Sequence, residues 1–292
     1  MTQQPLFSVL IANYNNGKYL QKAIDSVIAQ TYTYWEIIIV DDCSTDTSSS
    51  IYSLYVDNPK FHIYYNENNM GCGYTKRRCA ELANGEICGF LDADDALTSE
   101  ALAVMVKFHQ KLPDCSLIYS QYYQTDEHLN ILTISNHQRQ LLKDESFLLS
   151  GSSGAISHFA TFKRSYYSKT AGINKAMLRA IDIDLYLNLE EVGCVYFIQK
   201  PLYYYRCGTE NNISLGDTNS MSALYWDIFA RINACIRRGE SVEKIVFSGI
   251  SSRRTSEINA AYRKGEDSVR NSLSYRIGKS LLTPFKWTWK KK

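Results

Sequence analysis

Two rhythms of apolar and polar positions alternate along the first 120 residues. "FSVLIAN", from Phe7, is an almost unbroken apolar run, the pattern of a strand buried on both faces, and "GKYLQKAIDSVIAQ" then sets Leu20, Ile24, Val27 and Ile28 at helical spacing. The pair repeats. "WEIIIV" (35–40) predicts a second strand, and the Asp and Ser residues of "DDCSTDTSSS" are turn formers and helix caps ahead of "SIYSLYV". "FHIYY" predicts a third strand, "YTKRRCAELANG" a helix stopped by Gly85, "ICGFL" a fourth strand, "SEALAVMVKFHQKL" a helix and "CSLIYS" a fifth strand. Strands alternating with helices predict an α/β fold with a mostly parallel central sheet flanked by helices.

Beyond Gln121 the alternation fades into Gly- and Ser-containing segments with amphipathic pieces, so a change of role is expected there. Helical periodicity returns in "MSALYWDIFARINACIRRGES", which predicts a helical C-terminal extension over 216–292.

Placed on this frame, the polar clusters fall at strand carboxyl ends: Asn13 to Asn16 after the first strand, Asp41 and Asp42 after the second, Asn66 to Asn69 after the third, and Asp92, Asp94 and Asp95 after the fourth. In a parallel sheet these ends share one edge, where ligands bind. Three carboxylates within four positions repel one another unless a positive charge sits among them. Hard carboxylate oxygens suit Mg²⁺ or Mn²⁺, which complete an octahedral shell with phosphate and water, and the missing charge is assigned to such an ion carrying a phosphorylated ligand. The spacing of Asp92 and Asp94 predicts two side chains on one side of a locally extended segment, with Ala93 keeping the turn small. A solvated turn is the plain alternative, and position at the common edge counts against it. A second acidic segment, "LRAIDIDLYLNLEEVG", places Asp182 and Asp184 ahead of an amphipathic helix, as a general base or as helix caps. Arg206 ends an aromatic strand and suits a diphosphate, whereas His158 reads as a structural histidine.

Composition narrows the field. A formal charge of +2 gives no ground for a nucleic-acid partner. No GxxxxGK[ST] or GxGxxG loop is present, since "MGCGYTKRR" has neither spacing, which disfavours P-loop and classical dinucleotide enzymes. The eight cysteines form no CxxC pair and the histidines no helical metal pair, so a thiolate zinc site is not expected. With no basic leader before the first strand, reduced thiols in a cytoplasmic protein are expected, mostly as small core residues. No apolar run approaches the roughly 20 residues of a membrane span. The tail "SYRIGKSLLTPFKWTWKKK" mixes Trp, Phe and Leu with lysines, as interfacial segments do, and predicts peripheral contact with the inner face of the cytoplasmic membrane.

In combination, "SVLIANYNNGKYLQKAIDSVIAQTYTYWEIIIVDDCSTD", "GEICGFLDADDAL", "AIDIDLYLNL" and "PLYYYR" resemble the family 2 inverting glycosyltransferases of GT-A fold, of the bacterial cell-surface polysaccharide type, from Phe7 to roughly Asn212. The resemblance implies a transferase domain over 1–215, with a nucleotide-binding half (1–120) and an acceptor and catalytic half (121–215). It implies a nucleotide-sugar donor, UDP being commonest, and a saccharide or lipid-linked saccharide acceptor. Tyr14 and Asp41 would contact the base, with Asn15 and Asp42 in the same pocket; Asp92 and Asp94 would bind Mn²⁺ or Mg²⁺ and with it the donor diphosphate. Lys76 or Arg77 of "TKRRC" would supply the basic contact, Arg206 would assist at the diphosphate, and Asp182 would deprotonate the acceptor hydroxyl. Two positions depart from the family pattern: Ile181 stands where a Glu precedes the catalytic Asp, and Asn13 where a hydroxyl residue is usual. An inactive sugar-nucleotide binding homologue and a sugar nucleotidyltransferase are the rival readings, the latter lacking its Gly-rich amino-terminal loop.

Overall fold

The apolar run at Phe7 becomes a central strand, all but one of its residues buried. The computed structural model describes residues 4–149, 154–207, 217–243 and 245. In chain order the elements are β1 (Phe7–Asn13), α1 (Gly17–Ile28), β2 (Trp35–Asp41), α2 (Ser48–Tyr52), β3 (Phe61–Tyr65), α3 (Cys72–Leu82), β4 (Ile87–Phe90), β5 (Ala96–Leu97), α4 (Ala101–Lys111) and β6 (Cys115–Thr125). There follow β7 (Ile131–Ile134), β8 (Ala160–Lys163), α5 (Arg164–Tyr167), α6 (Ile181–Glu190), β9 (Cys194–Arg206) and α7 (Asp217–Arg238).

The strands form one sheet in the order β3-β2-β1-β4-β8-β6-β9-β5, with β7 paired to β6 outside that path. β3, β2, β1 and β4 are mutually parallel, as the alternation of strands and helices predicts. The expected fifth strand, β6, does not join β4 directly: antiparallel β8 inserts between them, and β6 then pairs in parallel with β9. Strand β8 comes from the segment where periodicity fades, and four residues are too few to stand out from their surroundings.

Side-chain alternation sorts the core into two layers. Leu10, Ile38 and Val40 face one layer with α3, α6 and α7, while Val9, Ile11, Ile37 and Ile39 face the other with α1, α2 and α4. Because β2 and β4 flank β1, and the chain leaves β3 to return on the other side, the order reverses beside β1. That reversal opens a crevice outside the carboxyl ends of β1 and β4.

Two expectations are corrected. The helix expected to start a separate extension at 216 belongs to the globular unit, which runs through Ile245: Ala230, Ala234 and Cys235 of α7 are buried in the same layer as α6. Arg231 fixes it there, paired with Asp227 at 2.8 Å and donating to the carbonyl oxygens of Phe147 and Leu148. The basic aromatic tail lies outside the described residues. Nor are all the thiols reduced, for Cys115 and Cys194 form a disulfide. The two cysteines are 79 residues apart but are paired in register on parallel β6 and β9 with Cα atoms at 4.3 Å, a proximity that chain spacing conceals. Cys79 and Cys88 are free thiols, and they and Cys235 are buried, as small core residues.

Candidate active site

The crevice at the switch point is lined by Asn16 after β1, Asp92, Asp94 and Asp95 after β4, Lys76 on α3, Asp182 on α6 and Arg206 at the end of β9. The fourth strand stops at Phe90, and the chain turns rather than staying extended: the Asp95 N–H donates to the Asp92 carbonyl at 3.0 Å. The turn still delivers the predicted outcome. Ala93 is buried, and Asp92 and Asp94 are partly exposed on the wall of the crevice.

Asp95 has a different fate. It is 2% exposed and accepts the Tyr203 hydroxyl at 2.7 Å and the Arg206 backbone N–H at 2.7 Å. Burial, reinforced by Asp94 and Asp92, raises its pKa well above the ordinary carboxyl range. The Tyr203 hydroxyl also accepts the Asp92 N–H at 3.2 Å. Strand β9 is thereby sewn to the acidic turn, which fixes Arg206. Its Nε donates to the Asp94 carbonyl at 2.5 Å, its Nη1 to the Glu127 carbonyl, and its guanidinium lies 4.6 Å from the centre of the Tyr19 ring.

The positive charge among the carboxylates is, in the first place, a lysine. Lys76 Nζ lies 2.7 Å from Asp92 Oδ1. Burial alone would lower the lysine pKa, but Asp92, helped by Cys72 and Asp182, outweighs it and raises the value. For Asp92 burial pulls upward, and Lys76 and then His158 hold the carboxyl below its usual range. Arg77, the alternative basic contact, turns away: it pairs with Glu81 at 2.6 Å and donates to the Ala171 and Ile173 carbonyls, both at 3.0 Å. One residue along a helix is a rotation of about 100°, so the two neighbours cannot share the crevice.

Helix α6 begins after Ala180, whose φ of +53° turns the chain sharply into it. Both Asp182 and Asp184 fall in its first turn, and neither caps it through the N-cap side chain. Asp182 lines the crevice, while Asp184 is 1% exposed and accepts the Asn174 N–H at 2.9 Å. Ile181, in place of the family's Glu, packs into the core. The 174–177 segment meets α3 through Gly73, where a Cβ would stand 2.3 Å from the Met177 carbonyl. That close backbone contact brings Lys76 and Asp182 to one crevice.

Asp41 and Asp42 do not line this crevice. Asp41 is buried, accepting the Tyr52 hydroxyl at 2.6 Å, Asn13 Nδ2 at 3.1 Å and the Ser44 N–H at 2.8 Å. Asp42 accepts Asn66 Nδ2 at 2.7 Å and the N–H groups of Met70 and Gly71 at 2.8 and 2.9 Å, holding the turn into α3. Asn15, at φ +53°, accepts the Thr45 N–H at 2.8 Å, and Tyr14 between these groups is 47% exposed. Of the residues expected around the base, Tyr14 is thus exposed while Asp41 and Asp42 are held in buried hydrogen-bond networks.

Two polar crevice residues, His158 and Arg179, escaped the sequence reading, and Asn16 entered it only as part of a polar cluster. His158 is stacked on Tyr203 and Tyr205 with ring centroids at 5.2 and 5.5 Å, and it lines the crevice beside Asp92. Its neighbours come from β9, far away in the chain, so no local signal marks it. Arg179 also lines the wall, three residues before Asp182. Asn16 lies inside the "NYNN" cluster, and its place after β1 was the available signal.

The donor set can be tested against a divalent ion. Among the described residues no group of three His, Cys, Asp or Glu ligands is present. Two partly exposed carboxylates on one turn fit an ion such as Mg²⁺ or Mn²⁺, which takes one or two protein carboxylates and completes its shell with phosphate and water.

Comparison with known proteins adds the following. The model of the family described as "Glycosyl transferase family 2" matches residues 8–170. Chondroitin synthase of Escherichia coli is 29% identical over 221 residues, covering 75% of this chain and 30% of that protein. The chain spans less than half the length of the first curated relatives it matches. Among solved structures, S. aureus TarS in complex with UDP-GlcNAc aligns with a TM-score of 0.62 at 18% identity, covering 77% of this chain and 65% of that one. A mannosyltransferase from Pyrobaculum calidifontis in complex with GDP-Man and Mn²⁺ aligns with a TM-score of 0.63 at 15% identity, covering 99% and 84%. The fold is thus the GT-A fold.

Proposed function

The chain belongs to glycosyl transferase family 2, and from that premise we propose that it transfers a sugar from a nucleoside diphosphate donor, UDP-linked, to a hydroxyl of a saccharide or lipid-linked saccharide acceptor, with inversion at the anomeric carbon. The observation that carries the reading is the meeting of Asp92, Asp94, Asp182, Lys76 and Arg206, from four separated segments, on one crevice at the sheet's switch point.

The roles follow from chemistry. Asp182, partly open to the crevice and free of the buried bonds that hold Asp184, accepts the proton of the acceptor hydroxyl. The acceptor oxygen then bonds to the anomeric carbon as the bond from that carbon to the leaving diphosphate oxygen breaks on the opposite face. Lys76 and Arg206 are fixed in place before reaction and stabilise the charge that grows on the leaving group. Asp92 and Asp94 would hold Mn²⁺ or Mg²⁺, which when bound supplies further positive charge at the diphosphate. The complexes of the two structural neighbours, with UDP-GlcNAc and with GDP-Man and Mn²⁺, support a nucleotide-sugar donor and a divalent ion.

The setting proposed is assembly of a bacterial cell-envelope polysaccharide on the cytoplasmic side of the membrane. No helix among the described residues is long and apolar enough to cross a membrane. The test of the reading is release of free nucleoside diphosphate from a panel of UDP- and GDP-sugars in the presence of saccharide and lipid-linked acceptors. Release from one donor, dependent on acceptor and abolished in Asp182→Asn, is expected; release unaffected by that substitution removes Asp182 as the base.

A further inference from the structure

A second cavity, of about 550 Å³, opens at the opposite edge of the sheet, where Pro5 precedes β1 and Glu86 precedes β4. Its size falls within the range of small-molecule sites, roughly 300–1,000 Å³. The chain runs through strand β4 from this cavity at Glu86 to the catalytic turn at Asp92, a path of at most about 20 Å at roughly 3.3 Å per residue. None of its lining residues belongs to the catalytic crevice.

The lining has a definite chemistry. Arg164, an exposed side chain, donates from Nε to the Gly85 carbonyl at 3.0 Å, which orients the guanidinium, and its terminal amino groups have no partner among the described residues. Beside it, Lys163 Nζ is held by the carbonyl oxygens of Leu112, at 2.9 Å, and Pro113. The hydroxyls of Ser165 and Ser168 complete this wall. On the inner side lies His109, 2% exposed. Its Nε2 is 2.9 Å from Thr161 Oγ1, whose own proton goes to the Ile118 carbonyl at 3.2 Å. The imidazole must therefore donate at Nε2, which leaves Nδ1 as a bare acceptor, buried and with no partner. Burial, with Lys163 second, lowers the His109 pKa to about 3, so the ring stays neutral. An unmet buried acceptor is costly. His109 stands on the lining, and there Arg164 and Lys163 outnumber Glu86, the one carboxylate among the lining residues, which favours an anion.

We propose that this cavity is a second binding site, taking an anionic polyol: a carboxylate or phosphate on Arg164 and Lys163, with a hydroxyl donating towards His109. An oriented guanidinium with two open amino groups matches either anion in bidentate fashion. Hexuronates and hexose phosphates share this chemistry, and the site stands whether or not the catalytic reading does.

The experiment is saturation-transfer NMR and calorimetry on the full chain with glucuronate, glucose 6-phosphate, inorganic phosphate and glucose at millimolar concentration, with and without excess UDP. Binding of glucuronate, glucose 6-phosphate or both is expected, glucose being at least about tenfold weaker, the equivalent of one charge-assisted hydrogen bond. Arg164→Gln should cost the same factor for the anionic sugars and leave UDP binding unchanged. Binding of glucuronate alone would assign a carboxylate site, and of glucose 6-phosphate alone a phosphate site; each supports the proposal. It is overturned if no anionic sugar binds, if inorganic phosphate or glucose binds as well, if Arg164→Gln binds like the parent, or if UDP displaces the sugar. A chain that binds anionic sugar but not UDP would sink the donor-site reading and leave this one standing.

Discussion

The turn after β4 and the first turn of α6 present the same residue type at the same spacing, yet within each the carboxylates divide. Asp92 and Asp94 face the crevice and Asp95 is buried under Tyr203 and Arg206. Asp182 faces the crevice and Asp184 is buried on the Asn174 N–H. Two acids are available for chemistry after β4 and one at the start of α6, and in both places a neighbouring acid holds the frame that aims them. Proximity in sequence is thus a poor guide to role, and the bonding partner decides.

That division can be broken by substitution. The largest effect is expected from Asp182→Asn: kcat should fall by about 10²–10⁴, the usual contribution of a positioned base, with thermal stability unchanged. Asp95→Ala should act the other way. Loss of two buried bonds, to Tyr203 and to the Arg206 N–H, should cost about 2–4 kcal/mol of stability in denaturant unfolding; an unchanged midpoint would refute its structural role. Lys76→Met removes the cation beside Asp92, and UDP affinity should drop about tenfold or more, as for the loss of one charge-assisted contact. Its neighbour sharpens the contrast: Arg77→Ala should cost about 1 kcal/mol of stability through the lost loop bonds and leave UDP affinity alone.

The smallest effect concerns pH. Burial outweighs the Asn174 hydrogen bond and raises the Asp184 pKa. A carboxyl with a raised native pKa contributes stability that is fully present below its unfolded value, about 3.9, and that is lost as pH rises through the native value. Asp184→Asn should accordingly gain on the parent as pH goes from 4 to 7, read as a melting-temperature difference that grows with pH. A difference that is flat or shrinks would mean that Asp184 is not strained by its burial.

The parallel half of the sheet was legible because strands buried on both faces, such as "FSVLIAN" and "WEIIIV", leave an unambiguous apolar run. The common edge followed from it, and so did the place of Asp92 and Asp94 there, whereas Asp182 came from a second acidic segment and from the family resemblance. What lay beyond reach depended on contacts between distant segments. β8 enters between β4 and β6 from a stretch without periodicity. His158 owes its place to Tyr203 and Tyr205, and Arg77 was separated from Lys76 only by the rotation of α3 against the 171–173 loop. The Cys115–Cys194 bond likewise rests on the register of β6 with β9. The charge puzzle of "DADD" had a partly local answer: Lys76 supplies one positive charge at Asp92, and Asp95 is held in buried bonds with Tyr203 and Arg206.

The most direct test of the central claim is calorimetric titration with UDP, with and without Mn²⁺, of the parent, the Asp92→Ala/Asp94→Ala double variant and Asp182→Asn. The account predicts Mn²⁺-dependent UDP binding that is kept by Asp182→Asn and lost by the double variant. Binding that survives in the double variant, or that disappears with Asp182→Asn in a folded protein, would contradict the division between a donor-holding turn and a proton-accepting helix.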